Sequence, residues 1–290
     1  MRILILTHSA ERHFYFANQL IKRTGSVIGI ITGGKQRPPV SKWEQIKTAA
    51  RKGELWTVAR NKALDLLNRR PLRQLLAEKD AAELEMFGGS KAEFEDRYTD
   101  LHLASVDPSI GSLNSDHYVS LIRDARPDAI AVMGTCLIGK RIIESAPNVI
   151  NIHTGLSPYY RGGMTNFWPF VEGDHGHFGV TIHRMSLGID SGDIVYSQRI
   201  DVEQGDHFGT INCRAIQIGA ELMADALQRL ASGEKLSAVP QWVAGKLFHN
   251  RHMNGSAAAK YFKVKDAFIE ESLQLAAEDR LPDLRLVLPG

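Results

Sequence analysis

The sequence predicts an α/β fold built on a Rossmann-like, mostly parallel sheet, and three observations carry that expectation. Over the first 150 residues, short β-branched apolar runs alternate with helical patterns, as in stacked βαβ units. Each run ends in turn residues or a helix start. The composition, 43% apolar and 23% charged over 290 residues, is that of an ordinary globular chain able to bury a full core.

The strand-like runs are residues 2–6, 26–32, 128–133 and 149–152, with a weaker one at 101–105. Between the second run and Leu101 lies more chain than a short αβ connection needs, so residues 35–100 are expected to be a helical insertion. From Lys35 to Arg73 it holds eleven basic residues and three acidic ones (Glu44, Glu54 and Asp65), and residues 80–100 turn acidic. Trp43, Ile46, Ala50, Leu64, Leu67 and Leu72 recur at near-helical spacing, which predicts helices broken near Gly53 and Pro71. A basic lid over a phosphate-bearing acceptor and a solvated helical hairpin both fit this segment.

Runs 178–185 and 193–200 flank a turn-rich connection at 186–192 and predict a hairpin. Ile211, Ala215, Ile218, Leu222 and Leu227 predict a long helix over 209–230 packed on the sheet. The catalytic domain is expected to span 1–233, followed by a small C-terminal extension at 234–290 with a further helical pattern at 266–277.

Charge and cysteine content narrow the function classes. With 35 Lys and Arg against 33 Asp and Glu, there is no global field of the kind that drives sequence-independent nucleic-acid binding. Two cysteines, Cys136 and Cys213, supply neither a disulfide framework nor a four-thiolate metal site and favour a reducing compartment. The apolar run at 3–6 is too short for a membrane span or a signal peptide, so a cytoplasmic protein is expected. The histidines His175, His177, His183, His249 and His252 lack companion carboxylates or thiols at familiar ligand spacings, and no metal is expected.

Residues 151–194 carry the chemistry. Asn151 and His153 stand at the end of a predicted strand, one residue apart, so strand alternation puts both side chains on one face. That sheet end is where open α/β folds hold ligands. A neutral amide donor beside an imidazole suits a reaction that develops negative charge on a carbonyl oxygen. Asp190, in a Gly-flanked turn, is the candidate to orient the imidazole or receive a proton. Each of the three, taken singly, is equally well a turn former or a satisfied polar group.

Their order changes that. Asn151-Ile-His153, Leu156-Ser-Pro158, Arg161-Gly162, Gly179-Val-Thr181 and Asp190-Ser-Gly-Asp193 closely resemble, piece by piece, the signature of the formyltransferase family that uses 10-formyltetrahydrofolate. The resemblance spans roughly residues 128–230 and implies a formyltransferase fold with Asn151, His153 and Asp190 as the catalytic set. It further implies that the folate lies against the backbone of the Met133-Gly134-Thr-Cys136-Leu137-Ile138 segment, with Asp193 at the end of the second motif as another cofactor contact. Cys136 as a nucleophile is the alternative reading there, though no activating base adjoins it in sequence.

Tyr160, Arg161 and Trp168 are the candidate acceptor-binding residues, as aromatic walls and donors for a sugar pocket; Trp168 fits a core role as well. The implied reaction is direct transfer to an amine. A nucleotide-linked amino sugar is the favoured acceptor, from the chain length and small extension. N-formylation of an amino acid, small amine or carrier-bound amine, hydrolysis of the formyl donor, and a non-catalytic folate-binding module are the alternatives. The partners expected are a small-molecule amine, folate and at most a second copy of the chain; nucleic acid and membranes are not expected.

Overall fold

The computed structural model of the chain describes residues 1–33, 47 and 69–289. All five strand runs of the first half form strands: β1 (Ile3–Thr7), β2 (Val27–Thr32), β3 (His102–Ser105), β4 (Ala129–Met133) and β5 (Asn148–His153). Between them run α1 (Glu11–Thr24), α2 (Arg69–Phe87), α3 (Ser90–Arg97), α4 (Asp116–Asp124) and the short α5 (Lys140–Ile143). The predicted hairpin is β7 (Gly179–Arg184) with β8 (Ile194–Arg199), and the long helix is α7 (Phe208–Ala231). Between β5 and β7 lie β6 (Tyr160–Gly162) and α6 (Trp168–Glu172); after α7 come β9 (Lys246–Phe248) and α8 (Gly255–Ala277).

The seven-stranded sheet has the order β3-β2-β1-β4-β5-β7-β8. Its first five strands are parallel, β5 and β7 pair antiparallel, and so do β7 and β8. The order reverses between β1 and β4, so the crevice beyond their carboxyl ends is the ligand position of an open α/β sheet. Strand alternation builds both faces. Ile3, Ile5, Ala129, Ala131, Ile150 and Ile152 join the core under α1, α2, α7 and α8, while Leu4, Leu6, Ile130, Val132 and Val149 join a second core under α4 and α5.

Around Pro71 the described chain is helical, α2 covering Arg69–Phe87; the residues before Arg69, on which the expected break near Pro71 bears, lie outside the described residues. Leu72 packs against the core. Gly53, Trp43, Ile46, Ala50, Leu64 and Leu67, and with them the basic lid, lie outside the described residues. The segment 234–289 shares the main core: Leu236, Ala258, Tyr261, Phe268 and Ile269 belong to it, the last four at helical spacing along α8. No described helix is long and apolar enough to cross a membrane.

Candidate active site

The site forms at the carboxyl end of β5, where the parallel half of the sheet meets the hairpin. β5 and β7 pair Asn151 with His183 and His153 with Thr181, so four polar side chains of two strands share one face. Thr181 ties the following loop down: its Oγ1 accepts from the Ser157 amide (2.9 Å) and donates to the Gly155 carbonyl (2.7 Å).

His153 is 6% exposed. Its Nδ1 lies 3.3 Å from Asp190 Oδ2, and its Nε2 lies 2.9 Å from the carbonyl of Tyr160. Both ring nitrogens therefore face acceptors, and only a doubly protonated ring donates to both. Burial lowers the ring's pKa; Asp190 and the Tyr160 carbonyl raise it, while His183 and Arg161 lower it further, and the net direction is down. At neutral pH one proton is shared between two acceptors, and a second proton has a place prepared for it.

Asp190 is the pivot of the site. Burial works against its charge, but His153, His183 and the Gly162 amide outweigh burial and hold the carboxyl well below the usual carboxylate range. Its Oδ2 accepts from the Gly162 N–H at 2.9 Å, and its Oδ1 lies 3.5 Å from His183 Nε2. The backbone of Asp190 is left-handed, with φ +43°, a conformation a non-glycine residue keeps only where its surroundings hold it. Gly192, two residues on, permits the turn to close: a Cβ there would stand 1.8 Å from the Arg184 carbonyl.

His183 is the member that the sequence expectation passed over. Its Nδ1 faces the Arg184 carbonyl at 2.9 Å, which only accepts, so Nδ1 carries the proton. Nε2 stands between Asn151 Nδ2 (3.0 Å) and Asp190 Oδ1 (3.5 Å), so this ring joins the amide to the carboxylate. A signal for His183 was present: the spacing of Thr181 and His183 matches that of Asn151 and His153, and a hairpin laid against β5 brings equal spacings into register.

The loop after β4 stands next to this constellation, since Met133 pairs with Ile152. Met133 and Ile138 are buried at its two ends, Gly134 and Leu137 are exposed, Cys136 is half-buried, and Leu137 is 76% exposed. The loop is braced by Asn114, which donates to the Leu137 carbonyl and accepts from the Gly139 amide. Gly134 has φ +59°, and a Cβ there would meet the His13 ring at 2.6 Å. The main-chain N–H groups of Cys136 and Leu137 have no protein partner among the described residues. The Cys136 thiol has Thr135 Oγ1 at 4.0 Å as its neighbour, not an imidazole. Cys213 is fully buried and its thiol is pushed up to about 12.

The remaining candidates fall apart from one another. Tyr160 is buried, and its hydroxyl donates to Asp174; what it offers His153 is its carbonyl. Trp168 is 4% exposed, stacked on Phe248 at 4.2 Å, with its indole N–H on the Gly163 carbonyl, so its ring is a packing element. Arg161 is half-buried and donates to the Ala244 carbonyl at 2.6 Å. Asp193 is exposed, and its carbonyl accepts from the Arg184 amide. Among the described residues no group of three or more His, Cys, Asp or Glu is arranged to hold a metal; His175, for example, stacks on Phe268 and bonds Ser272.

Residues 88–227 match the formyl transferase family. A methionyl-tRNA formyltransferase from Halothermothrix orenii is 31% identical over 124 residues, which are 42% of this chain and 39% of that protein. The match thus spans under half the length of that curated relative. Among solved structures, a sugar N-formyltransferase from a Shewanella strain gives a TM-score of 0.54 at 14% identity, covering 87% of this chain and 78% of that one. Glycinamide ribonucleotide transformylase 1 from Symbiobacterium toebii gives 0.50 at 16%, covering 83% and 94%. At such identities the likeness to the solved structures is one of fold. Residues 88–227, with the Asn151, His153 and Asp190 constellation inside them, are the part of this chain that is similar to the formyl transferase family.

Proposed function

We propose that this chain is a cytoplasmic enzyme that transfers the formyl group of 10-formyltetrahydrofolate to the amine of a nucleotide-linked amino sugar. The observation that carries formyl transfer is the contact of His153 with Asp190 beside Asn151, at the sheet end where the family's substrates meet. The amine, unprotonated, attacks the formyl carbon. The C=O bond becomes a C–O⁻ single bond, which the free N–H of Asn151 stabilises by donation and the His153 ring, once protonated, by its charge. Asp190 stays ionised throughout and stabilises the imidazolium formed when His153 gains the amine's proton. Collapse of the intermediate breaks the C–N bond to the folate, whose nitrogen takes a proton back. The folate is proposed to lie along residues 133–138, with Leu137 against its ring.

The amino-sugar acceptor is supported by the Shewanella sugar enzyme, whose fold covers most of this chain. A second reading, an aminoacyl-tRNA acceptor, is favoured by the curated relatives, which are methionyl-tRNA formyltransferases. Tyr160 and Trp168 contribute to an acceptor site as its packed floor, and Arg161 as a cation.

The test is tetrahydrofolate release from 10-formyltetrahydrofolate, followed by absorbance, with a panel of amino-sugar nucleotides, aminoacyl-tRNA, amino acids and no acceptor. Release that depends on an amino-sugar nucleotide is the expected outcome. Dependence on aminoacyl-tRNA selects the second reading. Acceptor-independent release means hydrolysis, and no release with any acceptor defeats the proposal.

A further inference from the structure

After α7 the chain crosses back to the site, and residues 239–250, all beyond the matched stretch 88–227, contact the start of β8, the Asp190 turn and β6. Val239 exchanges two backbone hydrogen bonds with Ile194 at the start of β8. The side chain of Gln241 then spans the Asp190 turn: its Nε2 donates to the carbonyls of Asp190 (2.7 Å) and Gly192 (3.0 Å). Carbonyls only accept, so both amide hydrogens of Gln241 are committed to this one turn. The turn they span is the one in which Asp190 is held left-handed.

The same segment holds the other side of the imidazole. β9 pairs parallel with β6, matching Tyr160 with Lys246, Arg161 with Leu247 and Gly162 with Phe248. Phe248 stacks parallel to the rings of Trp168 and Tyr160, and Lys246 bridges to Asp174 (2.7 Å), the partner of the Tyr160 hydroxyl. One short segment therefore fixes the two groups between which His153 sits. Asp190 is fixed through Gln241, and the Tyr160 carbonyl through β9, Phe248 and Lys246.

We propose that residues 239–250 form a positioning clamp for the His153 imidazole, with Gln241 as the positioning residue that keeps Asp190 against Nδ1. The argument is geometric. A left-handed non-glycine residue relaxes unless its neighbours over-determine it, and a misplacement of about 1 Å in such a group costs roughly a hundredfold in rate. Its consequence for turnover rests on the formyl-transfer reading above, whereas the clamp itself is a statement about the His153 ring. The charged and titratable groups facing that ring are Asp190, His183 and Arg161, and Gln241 acts on the first of them.

The test is carried out on the full-length chain with Gln241→Met, which keeps side-chain volume and removes both donors; Gln241→Ser gives the same reading if methionine disturbs folding. The titration of the His153 ring is followed by 15N NMR together with kcat and KM for the folate donor. Loss of the Asp190 contact withdraws support from the imidazolium, so the His153 midpoint moves to lower pH, and kcat falls about tenfold to a hundredfold with the folate KM nearly unchanged. An unchanged His153 midpoint overturns the clamp, and a shifted midpoint with unchanged kcat overturns its role in turnover. Should the wild-type chain transfer no formyl group at all, the functional reading fails on its own, and the His153 titration still decides the clamp.

Discussion

The loop after β4 and the turn at Asp190 flank the same strand end, yet they are built in opposite ways. Residues 133–138 leave backbone donors unpaired and an apolar side chain in solvent. The Asp190 turn has its carbonyls taken by Gln241, its carboxylate shared by His153, His183 and the Gly162 amide, and its strained φ held from both sides. A surface that accepts a ligand keeps hydrogen-bonding capacity for it, while a charge that must sit at one place relative to an imidazole is preorganised by the protein.

The largest test of this contrast removes the charge from the pinned side. Asp190→Asn keeps the shape of the turn and is expected to lower kcat by about a hundredfold to a thousandfold while folate affinity stays within a few fold. Steady-state kinetics and folate titration read the two sides separately, and near-normal turnover would remove Asp190 from the mechanism.

A smaller effect is expected from the open side. Gly134→Ala places a Cβ at φ +59° and 2.6 Å from the His13 ring, so stability should fall by about 1–3 kcal/mol and folate binding should weaken. A melting curve with and without folate measures both. An unchanged melting temperature would mean that the loop re-forms around the methyl group, and the contrast in rigidity would be weaker than drawn.

The smallest expected effect is on the pH dependence of stability. Because His153 is held below the ordinary histidine value of 6.5, the unfolded chain binds more protons than the native one below that pH. The contribution is present above 6.5 and lost as pH falls through the folded value. Asp190, also depressed, contributes above the ordinary carboxylate value of 3.8 and fails only in more acid solution, so it does not enter this window. His153→Gln should therefore flatten the fall in melting temperature between about pH 7.5 and about pH 5.5 relative to wild type. Parallel curves for the two proteins would show that the native ring titrates like an unfolded one.

Much of this site was legible in the sequence because local geometry defines it. Asn151 and His153 share a face since strands alternate, and Asp190 stood out in a turn flanked by Gly188 and Gly192. His183 was half-legible. Its spacing from Thr181 matched the opposite strand, but its partner depended on the antiparallel register of β5 with β7. Tyr160 was read for its ring, whereas it serves His153 through a carbonyl that every residue has. Gln241, a lone polar residue 51 positions from Asp190, carried no periodicity or motif at all.

What the sequence determined by itself was the α/β architecture, the five parallel strands and the hairpin, because burial periodicity and turn chemistry act over a few neighbouring residues. The tertiary structure alone decided that residues among 234–289 join the main core and that His153 sits between two acceptors gripped by the same C-terminal segment. Those outcomes depend on which distant surfaces meet. The free energy that selects among them comes from burying Phe248, Tyr261 and Phe268 against partners far along the chain.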